Sequence, residues 1–271
     1  MALLVEAFAS RIFLCGQTFI TAPPIEFKLN NILLQRSFWL THIALPLFIG
    51  LILAFIYPHT GLDTWFIEPF YDAHALAFPL KENGFLENVM HKGLRNLMIV
   101  VSLVMLVLWI LGLKIFDALL SRLNTQRCIQ RYHGQFLWIF VAMVISTSAI
   151  SILKHFSIHS CPWNLLPYGG TQPWIQLFEL LPDGAKAGHC FPGGHASGGF
   201  ALMAFYFGFR DTLPKVARLG LILGLILGFA MGWGQMMRGA HFMSHNLWTA
   251  WIVWMLLLTQ YLVWPPKTFV K

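Results

Sequence analysis

Charge is what this 271-residue chain has least of: Asp, Glu, Lys and Arg together make up 11% of it, and only 11 residues are acidic. A soluble domain carries roughly 25% charged residues, so a soluble globule of this length would lack the side chains to cover its surface. Cysteine is scarce as well, and four in the whole chain exclude a disulfide-dense secreted scaffold. Internal repeats and low-complexity linkers are missing, and with so little charge and so much apolar sequence the chain is not a disordered one. What is abundant is apolar, with 57% hydrophobic and 15% aromatic residues. These proportions describe a membrane protein. Its formal charge of +7 then reads as basic cytoplasmic loops and not as a surface for nucleic acid.

A membrane-spanning helix needs about 20 mostly apolar residues. Six runs qualify, at 39–57, 97–116, 136–153, 196–209, 219–234 and 247–264. The run 196–209 is short and opens with Ala196, Ser197, Gly198 and Gly199, small residues that suit close helix packing. Residues 1–38 hold an apolar stretch broken by Arg11 and Pro23–Pro24, which predicts a cytoplasmic, interfacial segment. The expected fold is therefore all-α: a polytopic bundle of about six transmembrane helices over residues 39–271. Lys and Arg test the helix order, because they concentrate in cytoplasmic loops. With six spans, 12 of the 18 basic residues fall on the side that holds both termini, and seven of the 11 acids fall on the other. Both termini are thus expected in the cytoplasm of a bacterial-type inner membrane, with the loops 58–96, 154–195 and 235–246 on the periplasmic face. The aromatic residues Trp163, Tyr168 and Trp174 there read as an interfacial belt.

Three polar clusters share that outer face: 154–162, 189–197 and 238–245. They bring His195, His241 and His245 into company with Lys154, Arg238 and the glycine turn Gly193–Gly194. Histidine is suited to proton transfer near neutral pH, cations neutralise phosphate oxygens, and backbone N–H groups at a helix start cradle an anion. This is equipment for phosphate chemistry. His241 and His245 also have an HxxxH spacing that suits zinc, but Phe242 stands where a metalloprotease carries Glu and no acid nearby supplies a third ligand. No metal and no cofactor is expected.

In order and spacing the clusters resemble the three motifs of the type 2 phosphatidic acid phosphatase and haloperoxidase superfamily, KxxxxxxRP, PSGH and SRxxxxxHxxxD. They stand here as KHFSIHSCP at 154–162, PGGH at 192–195 and GQMMRGAHFMSH at 234–245. The resemblance implies a membrane lipid phosphatase with His241 as nucleophile and His195 as general acid. Lys154, Arg238 and the Gly193–Gly194 turn would bind phosphate, and the partner would be a membrane lipid phosphate. Phosphoryl transfer to another lipid, or a member that has lost activity, are the alternatives. Four positions depart from the pattern. Cys161 replaces the first-motif Arg, Gly193 the serine, Gln235 the third-motif Arg, and His245 the orienting Asp. Arg238, three residues before His241, is expected to substitute for the missing arginine from a neighbouring position on a helix. His245, four residues after His241, is expected to meet it on one helix face and accept its N–H. A second registration makes His245 the nucleophile, with Thr249 at the Asp position. Cys161 and Cys190 share the outer face and flank the first two motifs, so a disulfide between them is expected in an oxidising compartment. Cys15 and Cys128 fall on the cytoplasmic side.

Overall fold

The computed structural model describes residues 36–113 and 126–267, and no strand occurs among them. Residues 1–35 of the interfacial segment expected over 1–38, the expected span end at 114–116, Cys15 and the side chain of Cys128 lie outside that set, and residues 36–38 belong to the first long helix. Seven helices follow in order: α1 (Arg36–His59), the short α2 (Leu62–Ile67), α3 (Leu86–Leu111), α4 (Gln126–His155), α5 (residues 194–209), α6 (Pro214–Met237) and α7 (Met243–Val263). Of these, α1, α3, α4, α6 and α7 are long and apolar enough to cross a membrane. The protein is an all-α polytopic bundle. Its lipid-facing belt includes Phe48, Leu51 and Phe55 on α1, Leu103 and Val107 on α3, and Ile222 and Ile226 on α6, all exposed. In water such a belt would cost about 25 cal/mol per Å², and a bilayer removes that cost.

The sixth expected span, α5, is the exception in length. Its 16 residues fall short of a full crossing, and a tighter turn at Ala201–Met203 interrupts it. It does not need to face lipid. Ala196, Phe200, Ala201, Leu202, Met203, Ala204, Phe207 and Phe209 are all at most 1% exposed, because α3, α4, α6 and α7 enclose the helix. Close approach depends on glycines at every fourth position of α6, namely Gly220, Gly224, Gly228 and Gly232, the small-xxx-small pattern that lets helix backbones touch. A Cβ on Gly199 of α5 would stand 2.5 Å from the Gly228 nitrogen, and one on Gly228 would enter the Phe200 ring.

The second span differs from its expected bounds, starting at Leu86 and not at 97. Glu87, His91, Lys92 and Arg95 occupy its first turns, and their charge hides the helix from a search for apolar runs. Helix direction alternates along the chain, so the end of α1, the starts of α3, α5 and α7, and the ends of α4 and α6 share one end of the bundle.

The opposite end is closed by polar side chains that satisfy one another. The Arg210 guanidinium lies 4.8 Å from the Phe38 ring centroid and 5.4 Å from that of Tyr261. Tyr261 donates to Asp211 Oδ2 at 2.7 Å, and His42 Nε2 lies 2.6 Å from the Tyr206 hydroxyl and 3.1 Å from Arg210. Pairing of this kind is what permits polar groups inside an apolar bundle.

The glycine contact makes a selective demand. Gly228→Ala should lower unfolding stability by about 1–3 kcal/mol through overpacking. Gly198→Ala should be tolerated, since its Cβ would meet only Met98 and Met231 at 3.5 Å or more. Thermal unfolding of both variants in detergent checks the contrast.

Candidate active site

The site is assembled where α4 ends and α5 and α7 begin. Gly193 N–H donates to the His245 carbonyl at 3.2 Å. The Thr249 hydroxyl lies 2.7 Å from the same carbonyl and 3.2 Å from the Gly193 oxygen. These contacts dock the Pro192–Gly193 turn on the first turns of α7. No side chain caps α5, so the first-turn N–H groups of Gly194, His195 and Ala196 lack the intrahelical partners that later turns have. Lys154 lies across this helix start: a Cβ on Gly194 would stand 3.3 Å from Lys154 Cδ and 3.7 Å from its Nζ. Open N–H groups, the positive end of a helix dipole and an ammonium therefore converge on one spot.

His241 reaches the same region from the loop between α6 and α7. After α6 ends at Met237, Gly239 turns the chain with φ +75°, and Ala240 N–H donates back to Gln235 at 2.9 Å. His241 is buried, with Nδ1 3.2 Å from Nδ1 of His245. With His241 Nδ1 as the donor and His245 Nδ1 as the acceptor, the neutral His241 ring keeps its lone pair on Nε2. Burial comes first, then the neighbouring His245, Lys154 and His195, in holding the His241 imidazole well below the usual histidine range.

The helical geometry expected of this motif does not apply. His241 lies in the loop and only His245 lies on α7, so they meet through the turn and not as helical neighbours. Arg238 ends α6. Its Nε donates to the Lys81 carbonyl at 2.8 Å, and its Nη2 lies 3.8 Å from Glu87. It acts electrostatically on His195, as do Lys154, Arg95 and His91, whereas the groups acting on His241 are His245, Lys154 and His195. Arg238 thus serves the His195 side of the site.

Packing gives reasons for two departures from the family pattern. Asn246 is 1% exposed and fills the space that a serine side chain at 193 would need, with its Oδ1 2.8 Å from where that Cβ would stand. It cannot retreat, because a Cβ on Gly232 on its other side would already collide with it. Cys161 is joined to Cys190 by a disulfide, which ties the loop after α4 to the turn before α5. The Cys190 sulfur lies 3.6 Å from His241 Nδ1. Cys190, His241 and His245 hold potential metal-ligand atoms within 4.8 Å of one another, but the sulfur is committed to the disulfide, so the trio offers two imidazoles. Gln235, at the arginine position, is buried with its Nε2 unpaired; nothing in the structure explains that substitution.

Two contributors, Asp63 and His91, lie outside the motifs, and a third, His159, fills a variable position of the first. Asp63 on α2 accepts from Ser244 N–H at 2.8 Å and from the Ser244 hydroxyl at 2.5 Å. It thereby caps α7, whose own N-terminus has no side-chain cap; burial holds its carboxyl above the usual carboxylate range, against the Ser244 hydrogen bonds. His91 of α3 lies against His195 with ring centroids 3.6 Å apart. His159 shares with Asp63, Ser244, His245, Trp174 and Trp248 a cavity of about 60 Å³ on the α1 side of α7. Tyr168 and Trp174 do more than the expected interfacial belt. Tyr168 is buried among Ile67, Phe78, Leu165, Met236 and Phe242, and Trp174 stacks on Phe242 with centroids 4.7 Å apart. This apolar cluster packs the loops at this end of the bundle together.

The boxed position of Asn246 generates a test. Gly193→Ser should destabilise the protein by about 1–3 kcal/mol, and Gly193→Ser combined with Asn246→Ala should recover most of the loss. Thermal unfolding of the single and double variants is the measurement, and purely additive losses would contradict the steric account.

The geometry joins all three motif segments at one end of a membrane bundle. A model of the PAP2 superfamily matches residues 135–269, which hold every one of those segments. No curated protein and no solved structure matches the chain. The protein is thus a membrane-embedded chain with a membrane phosphatase-type fold, and it belongs to the PAP2 superfamily.

Proposed function

We propose that the protein is a membrane lipid phosphatase that works through a phosphohistidine on His241. The observation that carries the reading is the convergence of Lys154, the uncapped start of α5 and His241, whose Nδ1 is engaged by His245 while its Nε2 edge is not. Lys154 Nζ and the N–H groups of Gly194 and His195 hold the phosphate oxygens. The His241 Nε2 lone pair attacks phosphorus and the P–O bond to the lipid alcohol breaks; His195, whose basicity is lowered by burial and by His91, Lys154, Arg95 and Arg238, takes up a proton as the phosphate dianion binds beside it and gives that proton to the departing oxygen. His195 then takes a proton from water as the water oxygen attacks phosphorus, the P–N bond breaks, and the electron pair returns to Nε2. Inorganic phosphate leaves.

His245 holds the ring through Nδ1 as an Asp would, without the negative charge that steadies an imidazolium. The charge pattern of the loops supports a site on the periplasmic face of a bacterial-type inner membrane. In that setting the acyl or prenyl chain stays in the bilayer while the phosphate head enters from the surface. Phosphoryl transfer uses the same intermediate with a second lipid hydroxyl in place of water.

Purified protein should release phosphate from phosphatidic acid, phosphatidylglycerol phosphate, undecaprenyl diphosphate or phosphorylated lipid A. His241→Ala should abolish turnover. His195→Ala should reduce it by roughly 10²–10⁴-fold on the lipid, and far less on an aryl phosphate whose leaving group needs no proton. Phosphate release that survives both alanine substitutions overturns the mechanism.

The depressed basicity of His241 sets a pH dependence. A base that burial weakens stays neutral, and keeps its lone pair, to lower pH. The acid limb of kcat/KM, after allowance for ionisation of the substrate phosphate, should therefore lie well below the free-histidine value of about 6.5. A limb at 6.5 or above contradicts this assignment.

A further inference from the structure

The family pattern places two arginines on the phosphate, and here those positions carry Cys161 and Gln235. The disulfide-bonded sulfur of Cys161 can donate nothing. A phosphate in this site is therefore short of donors unless another part of the chain supplies them. One part does approach. Because α3 begins at Leu86, its first turns reach the site end of the bundle, and His91 lies against His195 at 3.6 Å between ring centroids.

His91 Nδ1 is buried without a hydrogen-bond partner. Leaving such a group unpaired is costly, so the position suits a ligand that pairs with it. The surroundings select the sign of that ligand. Arg238, Arg95, Lys92 and Glu87 are the charged groups acting on His91. Glu87 is shared by Lys92 at 2.8 Å and Arg238 at 3.8 Å, and one carboxylate among three cations leaves a net positive surround. Arg95 stands four residues after His91, on the same face of α3. Lys154 also acts on the adjoining His195.

We propose that His91 is a substrate-phosphate ligand, donating Nδ1–H to a phosphate oxygen beside His195, with Arg95 reinforcing the positive field. The inference rests on the phosphatase reading for its substrate, a phosphate ester or diphosphate of a lipid. It adds a residue from outside the span matched by the family model, which begins at residue 135.

Orthovanadate, a phosphate mimic whose binding needs no turnover, is the probe, used on the full-length protein in detergent micelles. His91→Phe keeps a ring against His195 but removes the donor. His91→Asn replaces Nδ1–H with an amide N–H in nearly the same place. A hydrogen bond to a charged group is worth enough for a loss of roughly tenfold or more. His91→Phe should therefore weaken vanadate binding and raise KM for the lipid by at least that factor at an unchanged unfolding temperature. His91→Asn should stay within about threefold of wild type. Vanadate binding by His91→Phe as tight as wild type would overturn the proposal, and so would an Asn variant that loses as much as the Phe variant. If the wild type binds vanadate but hydrolyses none of the lipid phosphates, the phosphatase reading falls and the Phe comparison still decides the role of His91.

Discussion

The contact on which the rest of the structure depends is the near touching of α5 and α6 backbones. A 16-residue helix cannot cross a bilayer unaided, and its lipid-exposed ends would strand polar backbone groups in hydrocarbon. Enclosure removes the difficulty. It requires that α6 present almost no side chain along one stripe, which Gly220, Gly224, Gly228 and Gly232 provide. Gly232, the last of that stripe, also leaves the space that Asn246 fills beside Gly193. The packing that buries α5 is thus continuous with the packing that shapes its N-terminus, where the phosphate chemistry is proposed.

Burial at that end explains why neutral histidines can do the work. His241 and His245 are 3% and 5% exposed, in surroundings where an uncompensated charge is expensive. Each ring can still hydrogen-bond while neutral, and the two Nδ1 atoms lie 3.2 Å apart. An Asp in place of His245 would bring a buried negative charge next to a disulfide and an apolar cluster. His245 avoids that cost and supplies less stabilisation to a cationic phosphohistidine. The permanent charges sit at the periphery: Lys154 over the start of α5, Arg238 tied to Lys81 and Glu87, and Arg95 on α3.

Much of this was legible in the sequence, and the illegible parts share a cause. Hydropathy marked the membrane helices, and PGGH and RGAHFMSH drew attention to His195, His241 and His245 because each motif is contiguous. The start of α3 is not legible because Glu87, Lys92 and Arg95 interrupt the apolar pattern, and His91 is hidden with it. Asp63 caps α7 from 181 residues away, and no local spacing announces such a partner. The helical offset drawn for Arg238 and His241 failed because a turn at Gly239 separates them, although a glycine after a basic helix end is a recognisable stop signal. The four-residue glycine period of α6 is open to reading from the sequence alone; only its pairing with Gly199, Phe200, Met203 and Phe205 of α5 needs the fold.

The central claim is that His241, and not its neighbour, carries the phosphoryl group. Acid-labile, alkali-stable phosphate on a histidine is the signature of a phosphoramidate. Rapid mixing of the purified protein with a ³²P-labelled lipid phosphate, quenching in alkali and peptide mapping by mass spectrometry would locate it directly. The account expects label on the peptide bearing His241, at His241 itself, and none in His241→Ala. Label on His245, or substrate turnover with no labelled histidine at any time point, would contradict it.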